Sequence, residues 1–120
     1  MTLNADARGH FFANGSVNGS SVRFLVDTGA STVALSVDEA RRIGVNYLAG
    51  APVRVATANG SATAYKLKLD NVRVDEITLN NVDCMVVDGQ GLNIALLGMS
   101  FLNRTQMMRD GDILTLTRRY

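Results

Sequence analysis

The segment Phe24-Leu25-Val26-Asp27-Thr28-Gly29 ends an apolar run on a carboxylate, and Val33-Ala34-Leu35 resumes the apolar run a few residues later. An ionisable group between two core-forming segments is a strong constraint on the fold. An unpaired ionised carboxylate is costly to remove from water, so Asp27 is either satisfied by nearby donors or kept for chemistry. The residues after it suit the first role and permit the second. Gly29 allows a tight turn that brings an amide to the carboxylate, and Thr28, Ser31 and Thr32 supply hydroxyl groups.

The rest of the chain bounds what can surround this element. A length of 120 residues is that of one domain with one core, so a single domain over residues 1–120 is expected. With 47% hydrophobic and 19% charged residues, the chain is globular rather than disordered. Twelve basic residues stand against eleven acidic ones and are scattered, which argues against a nucleic-acid or membrane surface. One Cys and one His, Cys84 and His10, make neither a disulfide nor a standard zinc site, and no metal or cofactor is expected. Cys84 lies in the run Cys84-Met85-Val86-Val87 and reads as a core residue. No apolar stretch is long enough to span a bilayer, and no signal peptide is evident.

Short apolar stretches separated by turn residues predict a mainly β domain with one or two short helices. Strands are expected over residues 10–17 and 21–26 around an Asn18-Gly19 hairpin turn. Ser36 and Glu39 form a capping box that opens a helix, with Gly44 as its carboxyl-terminal cap. Residues 53–69 read as a hairpin tipped by Thr57-Ala58-Asn59-Gly60. Further strands are expected at 72–74, 77–79, 82–87 and 113–117, with a turn at Asp75-Glu76. A buried run at 94–97 ends at Gly98, and a helical turn or two follows at 99–104.

Three readings of Asp27 compete. A surface turn Asp is the ordinary meaning of Asp-Thr-Gly, but a surface turn seldom sits between two core segments. A phosphate-binding hairpin of the sugar-kinase and actin type needs two large lobes, for which 120 residues leave no room. The third is an aspartic protease. Phe24-Leu25-Val26-Asp27-Thr28-Gly29-Ala30-Ser31 resembles the hydrophobic-hydrophobic-Asp-Thr-Gly-Ala/Ser signature of retropepsin-like proteases. Ala58-Asn59-Gly60 tips a hairpin where the family's flap lies. Ile94-Ala95-Leu96-Leu97-Gly98, followed by Met99-Ser100-Phe101-Leu102, resembles the strand and short helix beneath the family's active site. The whole is most similar to the bacterial single-lobed members of the group.

That resemblance implies a closed β-barrel or sandwich lobe with a flap hairpin, working as a two-fold dimer. It implies an aspartic endopeptidase in which two carboxylates hold one water and share one proton. This chain has one Asp-Thr-Gly, so the dyad would need Asp27 from each of two subunits of a homodimer. Thr28 is then expected to hydrogen-bond across the axis, and the Gly29 amide to support the carboxylate. Ala30, Thr57, Ala58, Asn59, Gly60 and Ser61 become candidate substrate-binding residues for an extended peptide. Many two-lobed relatives carry Ser at the Ala30 position, whose hydroxyl stabilises the ionised carboxylate; its absence implies optimum activity nearer neutral pH. Tyr65 reads as a half-buried strand residue, and Met107-Met108 as core filling or subunit contact.

The termini, residues 2–5 and 113–117, are expected to pair across the dimer as in viral relatives, though they differ from those relatives in length and composition. The alternative that keeps the fold is a catalytically silent dimeric module for peptide binding or assembly. Localisation stays open. A soluble domain released on the periplasmic side from a membrane-anchored bacterial protein is compatible with these features.

Overall fold

The computed structural model describes residues 1–57, 60–89 and 92–119. Two residues with positive φ, Asn18 at 49° and Gly19 at 89°, make the tight turn that the Asn-Gly pair predicts. The turn joins β2 (Phe12–Val17) to β3 (Ser20–Val26) in antiparallel register, Val17 opposite Ser20 and Phe12 opposite Leu25. A short strand, β1 (Thr2–Asn4), precedes this hairpin. After β3 come β4 (Val33–Ser36) and the helix α1 (Val37–Arg42). The Ser36 hydroxyl accepts a hydrogen bond from the Glu39 amide at 3.0 Å, and Gly44 has φ 77° just past the helix end. The Ser36 cap and the Gly44 turn are thus as the sequence predicts, but the other half of the capping box differs: the Glu39 carboxylate accepts from Arg42 Nε.

A 3-10 turn, Tyr47–Ala49, leads into the long hairpin of β5 (Ala51–Thr57) and β6 (Gly60–Val74). β7 (Ile77–Val87) returns antiparallel to β6. The strands expected at 72–74, 77–79 and 82–87 are therefore parts of two long strands. The polar residues that read as breaks lie opposite each other, Asn71 across from Asn80, and neighbouring Asn81 takes φ 53°. The ladder skips the pair between Leu69–Val82 and Asn71–Asn80 and then resumes in the same register. The chain finishes with β8 (Ala95–Leu97), α2 (Met99–Leu102), β9 (Thr105–Asp110) and β10 (Ile113–Arg118).

The strands form two sheets. The larger runs β2-β3-β8-β4-β7-β6-β5, and a further pairing of β2 with β6 closes six of its strands into a barrel, with β5 as an extra strand. Phe24, Leu35, Leu69, Leu97, Phe101 and Leu102 fill the core at 2% exposure or less. Burying each such side chain is worth about 1.5–3 kcal/mol. Gly15 lets β2 cross β6 at this closure, since a Cβ there would lie 2.2 Å from the Arg73 carbonyl oxygen.

The smaller sheet has the order β1-β10-β9. Here the terminal strands pair within one chain, Thr2 opposite Thr115 and Asn4 opposite Ile113. The expected pairing across a dimer thus has a counterpart within the single chain. β9 went unpredicted because its sequence, Thr-Gln-Met-Met-Arg-Asp, has no apolar alternation: five of its six residues are exposed. Among the described residues, no helix is long and apolar enough to cross a membrane.

Candidate active site

β3 and β8 run parallel in the middle of the barrel sheet, with Val26 beside Leu97. The ladder continues one step past β3, where the Asp27 amide donates to the Leu97 carbonyl oxygen at 3.1 Å. Asp27 therefore sits on the rim of a rigid sheet, half-buried, while Thr28 and Gly29 after it are exposed. The Gly29 amide donates to Asp27 Oδ1 at 2.8 Å, and the Ala30 amide to the Asp27 carbonyl oxygen at 3.2 Å. A Cβ at Gly29 would stand 3.2 Å from that same Oδ1, so glycine keeps the carboxylate uncrowded. One carboxylate oxygen is held by a backbone donor, and among the described residues no lysine or arginine pairs with the charge. A carboxylate fixed in this way on an open rim is equipped to accept or donate a proton.

Gly98 explains why the loop has one shape. A Cβ at Gly98 would meet the Thr32 carbonyl oxygen at 2.0 Å and the Ala30 carbonyl oxygen at 2.7 Å. The strand after Leu97 thus runs directly against the loop after Asp27. The Met99 amide then donates to the Ala30 carbonyl oxygen at 2.8 Å. Ser100 adds a brace that sequence reasoning missed. Its hydroxyl accepts from the Val33 amide at 2.9 Å and donates to the Asp83 carbonyl oxygen at 2.7 Å. One side chain in α2 therefore ties the exit of the Asp27 loop to β7. Nothing in Met-Ser-Phe-Leu marks this serine, because its partners are backbone groups distant in sequence.

The other candidate residues are distributed as follows. Ala30 is half-buried beside Asp27. Gly60 has φ 115° at the start of β6, and Ser61 is exposed, its hydroxyl accepting from Arg54 across the hairpin. Thr57 ends β5. Ala58 and Asn59, the expected flap tip, lie outside the described residues. Tyr65 is half-buried in β6, as expected. Cys84 is buried, and burial pushes its thiol up to about 12, which leaves it inert at neutral pH.

A cavity of about 240 Å³ opens beside Thr28, bounded by His10, Phe11, Val26, Met107, Arg109 and Leu114 among others. It joins the Asp27 loop to the terminal sheet. A larger cavity of about 680 Å³, between α1 and the segment around Asn93 and Ile94, does not include Asp27. Asp27 lines neither cavity, but the smaller one adjoins its loop through Val26 and Thr28. Among the described residues, no three His, Cys, Asp or Glu side chains gather in a way that would hold a metal ion.

Comparison with known proteins agrees with this geometry. Residues 13–104 match the family of gag-polyprotein putative aspartyl proteases. A retropepsin-like aspartic protease from Rickettsia conorii, known from its crystal structure, is 34% identical with a TM-score of 0.83, and the match covers 95% of each chain. The protease of EIAV, solved with the inhibitor HBY-793, shares the fold at a TM-score of 0.65 and 14% identity, covering 84% of this chain and 92% of that one. The retroviral protease-like domain of Ddi1 from Leishmania major does so at 0.63 and 20%, covering 97% and 89%. Two uncharacterised proteins, one from the region 5′ of cobV in a Sinorhizobium species and one from Rickettsia prowazekii, are each 38% identical over 91% and 90% of this chain. The chain spans 47% of each of those two relatives, about half their length. With its Asp27 loop, its closed barrel and these matches over most of its length, the chain belongs to the retropepsin-like aspartic proteases.

Proposed function

We propose that the protein is an aspartic endopeptidase whose active form is a homodimer, with Asp27 of each subunit forming the catalytic pair. The observation that carries this reading is the setting of Asp27 on the barrel rim, one oxygen held by the Gly29 amide and, among the described residues, no cation paired with it. Two such carboxylates about 3 Å apart cannot both ionise, so they share one proton. The ionised carboxylate takes a proton from a water held between them as the water oxygen attacks the peptide carbonyl carbon. The protonated carboxylate hydrogen-bonds the carbonyl oxygen and stabilises the charge that develops there. Return of a proton to the leaving nitrogen then breaks the carbon–nitrogen bond. No metal or cofactor enters these steps.

The terminal sheet offers the surface for the second copy. β9 is at the edge of its sheet, and Met108 and Ile113 are exposed at 67% and 45%. Register puts both on the outward face, opposite the buried Leu114 and Leu116. The cavity between Thr28 and Met107 places this sheet next to the catalytic loop. A second copy docked on this sheet would cover its open edge and bury Met108 and Ile113. The β5–β6 hairpin acts as a flap over an extended, largely apolar peptide, with Ala30, Thr57, Ala58, Asn59, Gly60 and Ser61 along its path.

Peptide-library cleavage at high protein concentration, from mildly acidic to neutral pH, tests the proposal. Asp27→Asn is expected to lower the rate by about a thousand-fold or more. Wild-type activity is expected to fall faster than linearly on dilution. A confirmed dimer that cleaves nothing would replace this reading with that of a silent peptide-binding or assembly module. The lack of a hydroxyl at Ala30 places the expected optimum nearer neutral pH, and a profile peaking at strongly acid pH would remove that part of the argument.

A further inference from the structure

The hairpin that serves as the proposed flap is attached to the barrel at a definable point. β6 pairs with β7 from Ala64 onward, opposite Val87, whereas Gly60 to Thr63 pair with β5. β5 is the outermost strand of its sheet. One face of the root is therefore held by β7, together with the Asp88 amide on the Thr63 carbonyl oxygen at 2.9 Å. The 3-10 turn just before β5 holds it from another direction.

That turn is clamped to β6 by backbone and by side chain. A Cβ at Gly50 would lie 2.7 Å from the Lys66 carbonyl oxygen, so the chain is pressed against β6 as the hairpin begins. The Tyr47 ring packs edge-on against Tyr65, with centroids 5.2 Å apart and planes at 64°. This is the favoured geometry for an aromatic pair. Tyr65 stands opposite Pro52, one residue into β5. Leu48, the next residue of the turn, is 66% exposed, so the apolar grip comes through Tyr47.

Tyr47 is held in turn from α1. Arg41 Nη2 donates to the Tyr47 hydroxyl at 3.2 Å. The next residue of α1 makes a second tie: Arg42 Nη2 donates to the Ser21 carbonyl oxygen at 2.7 Å. Ser21 is near the start of β3, the strand that ends at Asp27. An unbroken series of contacts therefore runs from the Asp27 strand through α1, Arg41 and Tyr47 to Tyr65 at the flap root.

We propose that Tyr47 is a positioning residue for the flap: its ring, fixed between Arg41 and Tyr65, sets the angle at which the β5–β6 hairpin leaves the barrel. Freeing the root lowers the population of the closed form, and apparent affinity for a peptide falls by that fraction. Chemistry at Asp27, once the flap has closed, is unchanged. The consequence for peptide binding rests on the peptidase reading, whereas the mechanical part does not.

The test uses two independent readouts on wild type, Tyr47→Ala, Tyr47→Phe, Arg41→Ala and, as a control on the same turn, Leu48→Ala. The first is amide hydrogen exchange of the hairpin, compared with that of β3 and β8. Tyr47→Ala is expected to speed hairpin exchange about five-fold or more with the barrel strands unchanged. Tyr47→Phe keeps the ring pair and loses the Arg41 bond, so it and Arg41→Ala should fall between wild type and Tyr47→Ala, and Leu48→Ala should match wild type. The second readout is kinetic: KM is expected to rise about five-fold in Tyr47→Ala with kcat within about two-fold. Unchanged hairpin exchange in Tyr47→Ala would overturn the proposal. So would a rise shared equally by β3 and β8 with Tyr47→Phe and Arg41→Ala at wild-type values, since Tyr47 would then only support the fold. If wild type cleaves no peptide, the peptidase reading falls, and the exchange data still decide whether Tyr47 braces the hairpin.

Discussion

In the barrel, β2 pairs with both β3 and β6, so six strands close on themselves and only β5 is left outside. In the terminal sheet, β10 has two neighbours while β1 and β9 have one each, and the exposed Met108 and Ile113 lie on its outward face. The barrel satisfies its own hydrogen bonds and apolar surface, and it holds Asp27 at a set position on its rim. The terminal sheet keeps the features that closure removes, namely open edges and apolar side chains in water. This division suits the proposed dimer. On that proposal, the rigid half of the site is completed within the subunit, and the terminal sheet is left for the partner to complete.

Substitutions can break this comparison, beginning where the effect is largest. Gly98→Ala forces a Cβ to within 2.0 Å of the Thr32 carbonyl oxygen at the tightest crossing in the barrel. Both contacting atoms are backbone, so the chain after β8 and the loop after Asp27 must part. Destabilisation of about 4 kcal/mol or more is expected in denaturant unfolding, and a variant within 1 kcal/mol of wild type would show that the crossing is more yielding than the geometry implies.

The terminal sheet should respond differently on its two faces. Leu116 is fully buried on the inward face, so Leu116→Ala should cost about 2–5 kcal/mol of monomer stability. Met108→Lys should leave monomer stability nearly unchanged and weaken the proposed dimer about a hundred-fold, because the symmetric contact loses two buried methionines. Sedimentation across a dilution series reads this directly. A dimer indifferent to Met108→Lys would move the interface off this sheet.

The smallest effect concerns acid stability in the loop before β2. The Asp6 carboxylate accepts hydrogen bonds from the His10 and Arg8 amides, each at 2.9 Å, and these hold its pKa below the usual value of 3.8, the His10 bond contributing most. A carboxyl group whose pKa is lowered by folding stabilises the native state fully above its unfolded value. That contribution is lost as pH falls through the lower folded value. Asp6→Asn should therefore lower Tm slightly at neutral pH and flatten the fall of Tm below about pH 4. Parallel Tm-against-pH curves for the two proteins would show that these bonds contribute nothing. The exposed Lys68–Asp83 pair at 2.8 Å, on the barrel surface, lowers the Asp83 carboxyl in the same direction through the Lys68 hydrogen bond. It offers a barrel counterpart for the same titration.

The parts of the molecule legible in the sequence are those whose causes are local. Asn18-Gly19, the Ser36 cap on the Glu39 amide, and Gly44 each act within a few residues, and the structure shows these three as the sequence implies. The Asp27 turn belongs with them, since the Gly29 amide reaches the carboxylate from two residues away. β9 was illegible because an exposed edge strand needs no alternation, and the long strands β6 and β7 looked interrupted because their polar residues are matched only across the ladder. Ser100 was silent for the same reason: its role depends on Val33 and Asp83, each more than fifteen residues distant.

Order along the chain dictates that a carboxylate ends a core strand in a glycine turn, and that a mainly β chain of this length supplies one such carboxylate. Those properties follow from covalent neighbours, side-chain polarity and backbone freedom, which act over a few residues. Tertiary structure decided that Gly98 would be pressed against the Asp27 loop, that the termini would pair within one chain, and that Tyr47 would meet Tyr65 at the hairpin root. Each of these is a contact between segments distant in sequence, and its geometry exists only once the barrel has closed.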